Sequence, residues 1–222
     1  SIDVHDAVGS NIRVDARGNE VLRVLPRLNE DVNEEWISDK TRHAVDGLKR
    51  ARLDRPYVRD DASGQMRTAS WDEALAKAAA KLSSTSAERI AAMVGGLCDT
   101  ESMVALKDLM LSLGVKNMDS RTDGALFDTG TRAGYLFNST IAGIETADAI
   151  LIVGSNVRWE PPLVNARIRK TWMNKRVKVG VIGENNDLTY PTTYIGSGPD
   201  SFDGAHSFFD VLKNAKNPMM IV

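Results

Sequence analysis

The chain has 222 residues, 42% of them hydrophobic, and 28 basic against 30 acidic side chains give a net charge of −2. That length is enough for a core, and the balanced charge provides no global field to draw the chain to nucleic acid or to an anionic membrane, leaving small molecules or protein partners. The single cysteine, Cys98, excludes an internal disulfide and any cysteine cage for a metal, and suits a reducing compartment.

No apolar run reaches the length a bilayer demands, and Ser1 to Val4 lacks the regions of a signal peptide. Both ends read as cut: the chain opens without Met, and Pro218 to Val222 resembles the start of a buried strand. A fragment of a longer polypeptide is the expectation.

In chain order, Asn11 to Asp15 and Glu20 to Leu25 form a hairpin around a turn at Gly18. Ser38 caps a short helix through about Asp46, with Gly47 expected to be left-handed just past its end. Arg55-Pro56 forces extension, and the polar run 60–65 is a loop or boundary. Ser70-Trp71-Asp72-Glu73 reads as a capping box opening a helix to about Leu82. Arg89 to Val94 is expected as a buried strand, followed by a helix capped by Asp99 or Thr100 and running to Leu113. Ala147 to Val153 is a second strand, Pro161 and Pro162 start a helix to about Met173, and Arg176 to Ile182 is a third strand. A helix after Gly204 and a strand at Met219 to Val222 close the chain, the latter leaving a parallel edge open to self-pairing. Alternating helices and apolar strands argue for parallel βα units.

The turn Gly154-Ser155-Asn156 follows the strand Ala147 to Val153, where a doubly wound sheet places a ligand. The G-x-G-x-x-G pattern is absent, and Trp159-Glu160-Pro161-Pro162 puts a carboxylate and two residues without N–H at the mouth. On the residues alone a structural turn is favoured over a nucleotide site. Gly183-Glu184-Asn185-Asn186-Asp187 offers acids for a ribose, but a solvated loop is the better reading. His5, His43 and His206 form no metal-binding set, and Cys98 is expected to be a small buried or half-buried residue. The bases at Lys49, Arg50, Arg52, Arg55 and Arg59 read as a solvated or partner-facing surface.

The words Ile2-Asp3-Val4, Asp6 to Ile12, Leu25-Pro26-Arg27, Asn33 to Lys40, Asp46 to Arg50, Ser70 to Leu75 and Ala166 to Lys170 closely resemble the family of the largest iron-sulfur subunit of NADH-quinone oxidoreductase, respiratory complex I. The resemblance covers essentially the whole chain, and Asn33 to Lys40 is its most specific part. It implies a domain related to the molybdopterin oxidoreductases. It also implies that the two-iron and four-iron clusters of the parent subunit lie upstream, with FMN in a partner subunit. In the cofactor-bearing relatives four cysteines hold a cluster; the matching positions here are about Asp3, Asp6, Ser10 and Ser38, none a thiolate. The molybdenum-facing position falls near Phe127, which cannot ligate a metal. Gly154, Ser155 and Asn156 match the turn that holds the guanylate end of the pterin cofactor, and are expected to be vestigial.

These readings give an α/β chain. A small β-rich lobe, residues 1–66, precedes a doubly wound, mainly parallel Rossmann-like sheet, residues 67–222. The expectation is a cofactor-free structural domain without catalytic residues. Its partners would be other peripheral-arm subunits of complex I, with no nucleic acid and no direct membrane insertion. It would lie on the cytoplasmic side of a bacterial inner membrane, or the matrix side in a mitochondrion. The competing readings are a molybdopterin- or nucleotide-binding oxidoreductase domain, discriminated by metal and nucleotide content, and a freestanding interaction domain, discriminated by co-purification.

Overall fold

A computed structural model describes residues 1–120, 126 and 128–222. Its strands are β1 (Ile12–Arg17), β2 (Glu20–Pro26), β3 (Tyr57–Arg59), β4 (Met66–Thr68), β5 (Ala91–Met93), β6 (Asn117–Asp119), β7 (Ala149–Val153), β8 (Lys178–Ile182), β9 (Thr193–Gly196) and β10 (Pro218–Ile221). Its α-helices are α1 (Asp39–His43), α2 (Trp71–Ser83), α3 (Thr100–Ser112), α4 (Pro162–Lys175) and α5 (Phe208–Asn214). The chain divides into two compact units, one made of Ser1–Lys49 with Thr129–Val222 and the other of Arg50–Asp128. The expected division into residues 1–66 and 67–222 runs along the sequence, whereas compactness joins the first 49 residues to the last 94.

In the first unit, β1 and β2 pair antiparallel with a register shift at Asp15/Ala16, around Gly18 at φ +58°. β7, β8, β9 and β10 form one parallel sheet in the order β10-β7-β8-β9. The run Ala149-Ile150-Leu151-Ile152 is buried throughout, as a strand covered on both faces requires. Strand alternation sends Ile150, Ile152, Val179 and Val181 into a core with Ile144, Val164 and Ile168, while Leu151 and Ile182 join Phe208 in a second cluster. Gly180 makes room for that second cover, because a Cβ there would stand 2.5 Å from the Phe208 ring. This is a mixed α/β chain with a parallel sheet.

Several element ends differ from expectation. The helix capped by Ser38 ends at His43 and tightens into a 3-10 turn, Ala44–Lys49, so the left-handed residue is Ala51 and not Gly47. α4 runs two residues further than expected, to Lys175. Arg176 becomes its left-handed cap at φ +58°, with its guanidinium 4.4 Å from the Trp172 ring centroid, so β8 begins only at Lys178.

In the second unit β3 and β4 form a small antiparallel pair, and β5 and β6 a parallel pair. Ser70 Oγ accepts the Glu73 N–H at 3.1 Å, but the Glu73 carboxylate binds Arg67 and so does not return to the cap as a capping box requires. Asp99 caps α3 through the Ser102 N–H at 2.8 Å. Ile90, Met110 and Val115 fill a core with Leu82, Leu106 and Leu113. The expected buried strand at 89–94 shortens to three residues, and Met93 is 81% exposed, because only one face of the β5–β6 pair is covered.

Candidate functional site

The four positions expected to have lost cluster ligands all lie in the first unit. The Asp3 N–H donates to the Ser10 carbonyl at 2.8 Å and closes a loop in which Asp6 Oδ1 accepts the Val8 N–H and Gly9 is left-handed. Ser38 Oγ caps α1 by accepting the Thr41 N–H at 3.3 Å. Thr41 Oγ donates to Asp3 Oδ2 at 2.7 Å. Having one proton, the Thr41 hydroxyl must then accept from Ser38 Oγ at 2.9 Å. A directed chain therefore runs Ser38 to Thr41 to Asp3. All three are buried, as is Ser10. The structure thus joins Asp3, Ser10 and Ser38, the last through a residue the sequence reading passed over. Ser10 Oγ and Asp6 Oδ2 are buried without a hydrogen-bond partner.

Asn33 organises the segment between. Its Oδ1 accepts the Asn11 N–H at 2.9 Å, and its Nδ2 faces the carbonyls of Arg27, Glu34 and Trp36, each at 3.1 Å. One buried amide so fixes the chain that leads into Ser38.

The second candidate is the turn after β7. Gly154 is left-handed at φ +70° and donates its N–H to Ile182 O at 2.8 Å. Gly183, at φ +130°, lies against it so closely that a Cβ would stand 3.3 Å from Gly154 backbone atoms. Three donors of this turn, the Gly154 N–H, the Ser155 hydroxyl and the Asn156 N–H, are engaged internally, while Asn156 Oδ1 is buried without a partner. Glu160 Oε2 accepts both Ser155 Oγ–H at 3.0 Å and the Asn156 N–H at 2.7 Å. Lys40 Nζ donates to Trp159 O at 2.8 Å. Arg158 Nη1 donates to Asp187 O at 2.7 Å and Oδ2 at 3.0 Å. Asp187, the acid of the expected ribose loop, also accepts the Thr189 N–H, which together with Arg158 holds its carboxyl below the ordinary range. α4 opens at Pro161 and Pro162, so its first turn offers fewer N–H groups than an anion-binding helix start.

A third group escaped the sequence reading. Arg167, 4% exposed, binds Glu145 at 2.5 Å and the Glu30 carbonyl at 2.7 Å, and Lys170 binds both Glu34 and Glu145. Hydrogen bonds donated by Arg167 and then Lys170 lower the Glu145 pKa, and those that Lys170 donates to Glu34 and then to Glu145 raise its own. The available signal was the spacing of Arg167 and Lys170, three apart on one helix face; their acids lie 22 to 136 positions away in sequence. Nearby, Tyr190 donates to Asn165 Oδ1 at 2.7 Å, and burial pushes its phenol upward.

Cys98 is exposed, contrary to expectation, because it lies in the turn before α3. His206 accepts the Phe208 N–H through Nδ1. Phe127 lies outside the described residues. Among the described residues no group of three or more His, Cys, Asp or Glu is arranged for a metal, and no helix is long and apolar enough to cross a membrane.

Comparison with known proteins places these features. Residues 52–222 match the molybdopterin oxidoreductase family, and residues 1–46 match the NADH-ubiquinone oxidoreductase NDSU1/NuoG-like 4Fe-4S domain. The chain is 49% identical over 226 aligned residues to the mitochondrial NADH dehydrogenase [ubiquinone] iron-sulfur protein 1 of Solanum tuberosum, covering 100% of this chain and 30% of that protein. It is 47% identical to the corresponding NADH-quinone oxidoreductase subunit of Rickettsia felis, covering 100% and 33%. The mitochondrial NADH-ubiquinone oxidoreductase 78 kDa subunit of Candida albicans is also 47% identical, with 100% and 31% covered. The chain thus spans about a third of the length of the curated relatives it matches.

A four-iron cluster does not fit the side chains present in residues 1–46. They contain no cysteine; Ser38, Thr41 and Asp3 satisfy one another, and the unpartnered Ser10 Oγ and Asp6 Oδ2 are oxygens and not the thiolates a cluster needs. Its sequence nevertheless aligns with those relatives from end to end, and the chain belongs to the molybdopterin oxidoreductase family, with a NuoG-like 4Fe-4S domain match over its first 46 residues.

Proposed function

We propose that this chain is a structural, cofactor-free part of the iron-sulfur subunit of NADH-quinone oxidoreductase. It would support the peripheral arm that carries electrons from NADH through FMN and iron-sulfur clusters to quinone. The observation that carries this reading is the Ser38–Thr41–Asp3 chain: oxygen atoms that would replace cluster thiolates hold one another instead of iron. Identity of 47–49% along the whole chain supports the same parent assembly.

In this reading, residues 1–66 descend from an iron-sulfur lobe and 67–222 from a doubly wound, Rossmann-like lobe, a division of ancestry distinct from compactness. The sheet's two apolar covers, one on each face, support the doubly wound form. Electron transfer belongs to clusters held by other segments of the parent subunit and to FMN in a partner. The partners are other peripheral-arm subunits, on the cytoplasmic side in a bacterium or the matrix side in a mitochondrion, with neither nucleic acid nor membrane insertion.

Iron, sulfide, molybdenum and nucleotide analysis of the purified chain tests this directly, and stoichiometric amounts of any of them would overturn it. Antibodies against the chain are expected to co-precipitate flavin- and quinone-site subunits, and their absence from the precipitate would remove the assembly role. The competing reading, a pterin- or nucleotide-binding oxidoreductase domain, draws on the family match alone; Glu160 at the turn weighs against it.

A further inference from the structure

We propose that Glu160 is an internal anion that closes the turn Gly154-Ser155-Asn156 to oxyanions. The proposal rests on the cofactor-free reading above and supplies its physical cause at this turn. An N–H and a hydroxyl converge on one carboxylate oxygen, Oε2, at 2.7 Å from the Asn156 nitrogen and 3.0 Å from Ser155 Oγ. Charge-assisted contacts of this kind are what a phosphate oxygen would receive at the end of a parallel strand. Here the acceptor is covalently part of the chain, four residues beyond Asn156, so its effective concentration far exceeds that of any dissolved anion.

The geometry keeps that carboxylate in place. Trp159 and Glu160 both return their N–H groups to the Asn156 carbonyl, at 2.9 Å each, folding residues 156–160 back over the turn. Lys40 clamps the same segment from α1 through Trp159 O. Arg158, the nearest guanidinium in the sequence, is drawn to Asp187 instead of to an incoming anion. The Ser155 hydroxyl and the Asn156 N–H that a phosphate would use are taken by Glu160, and the Gly154 N–H by Ile182 O.

Removing the carboxylate frees two donors and one negative charge. Phosphate titrations followed by amide resonances of the chain provide the test. In Glu160→Ala the Ser155 and Asn156 amides are expected to shift saturably with inorganic phosphate, with half-saturation at least about tenfold lower than any response of the wild type, as loss of one nearby like charge implies. Glu160→Gln keeps an oxygen acceptor for both donors but loses the charge, and is expected to bind phosphate more weakly than Glu160→Ala and more tightly than the wild type.

Equal phosphate responses in Glu160→Ala and wild type would overturn the proposal, as would wild-type binding with Glu160 in place. Unfolding of Glu160→Ala would overturn it too, since the residue would then serve the fold and not the closure. The two readings fail separately. Nucleotide found in purified wild-type chain refutes the cofactor-free assignment, whereas nucleotide-free wild type with a phosphate-blind Glu160→Ala refutes only the closure.

Discussion

Thr41 has a single hydroxyl proton, and giving it to a buried carboxylate fixes the direction of everything connected to it. Replacing Thr41 by Val keeps the shape but leaves Asp3, 4% exposed, without that donor and Ser38 without its acceptor. An unsatisfied buried charge costs more than a neutral group, so Thr41→Val is expected to destabilise the chain by about 3 kcal/mol in urea unfolding. Ser38→Ala removes a helix cap and one end of the chain, and about 1 kcal/mol is expected. A double-mutant cycle of Thr41→Val with Asp3→Ala should show coupling of at least about 1 kcal/mol; additive losses would mean that the 2.7 Å contact carries no such energy. Ser38 was legible as a cap because serine before a short helical pattern has a local cause. Thr41 was not, because a threonine inside a helix gives no sign of a partner 38 positions away.

At the scale of elements, legibility follows how much apolar surface a segment must bury. β7 and β8 are five-residue strands, the first wholly apolar and the second apolar after Lys178, and could be read directly. β6 and β9 are three and four residues long, carry Asn, Asp or Thr, and gain their identity only by pairing with β5 and β8. The docking of α5 on the sheet depends on a residue that sequence patterning undervalues. Gly180 sits inside a strand, where glycine is ordinarily unfavourable, yet it is the gap that receives Phe208. Gly180→Ala is therefore expected to cost about 2 kcal/mol by overpacking, read as a lowered unfolding midpoint. Gly47→Ala provides the control: its added Cβ meets nothing within 4 Å and its φ is not positive, so stability should be unchanged or slightly higher. A Gly180→Ala variant as stable as that control would show that the Phe208 ring moves aside freely.

For the first compact unit as a whole, the decisive contacts join segments more than a hundred residues apart, which no local pattern announces. The Glu34–Arg167–Glu145–Lys170 network ties the segment before α1 to α4 and to the 3-10 turn ahead of β7. Its pH dependence has a definite sign. Glu145 has a lowered pKa when folded, so its stabilising contribution is fully present above the ordinary glutamate value, about 4.3, and is lost as pH falls through the lower folded value. Lys170 is raised, so its contribution is fully present below about 10.4 and is lost as pH rises through its higher folded value. Between those limits the network should contribute a plateau. Glu145→Gln removes the acid-side titration while leaving Lys170 with Glu34, and it leaves the buried Arg167 guanidinium, 5% exposed at its side chain, with the Glu30 carbonyl and the 3.6 Å Glu34 pair but no close carboxylate. Urea midpoints measured from about pH 3 to pH 8 are thus expected to fall less steeply on the acid side for Glu145→Gln, from a lower plateau. An acid limb of unchanged slope would place the titrating carboxylates elsewhere in the chain, and would separate the compactness of this unit from its buried ion pairs.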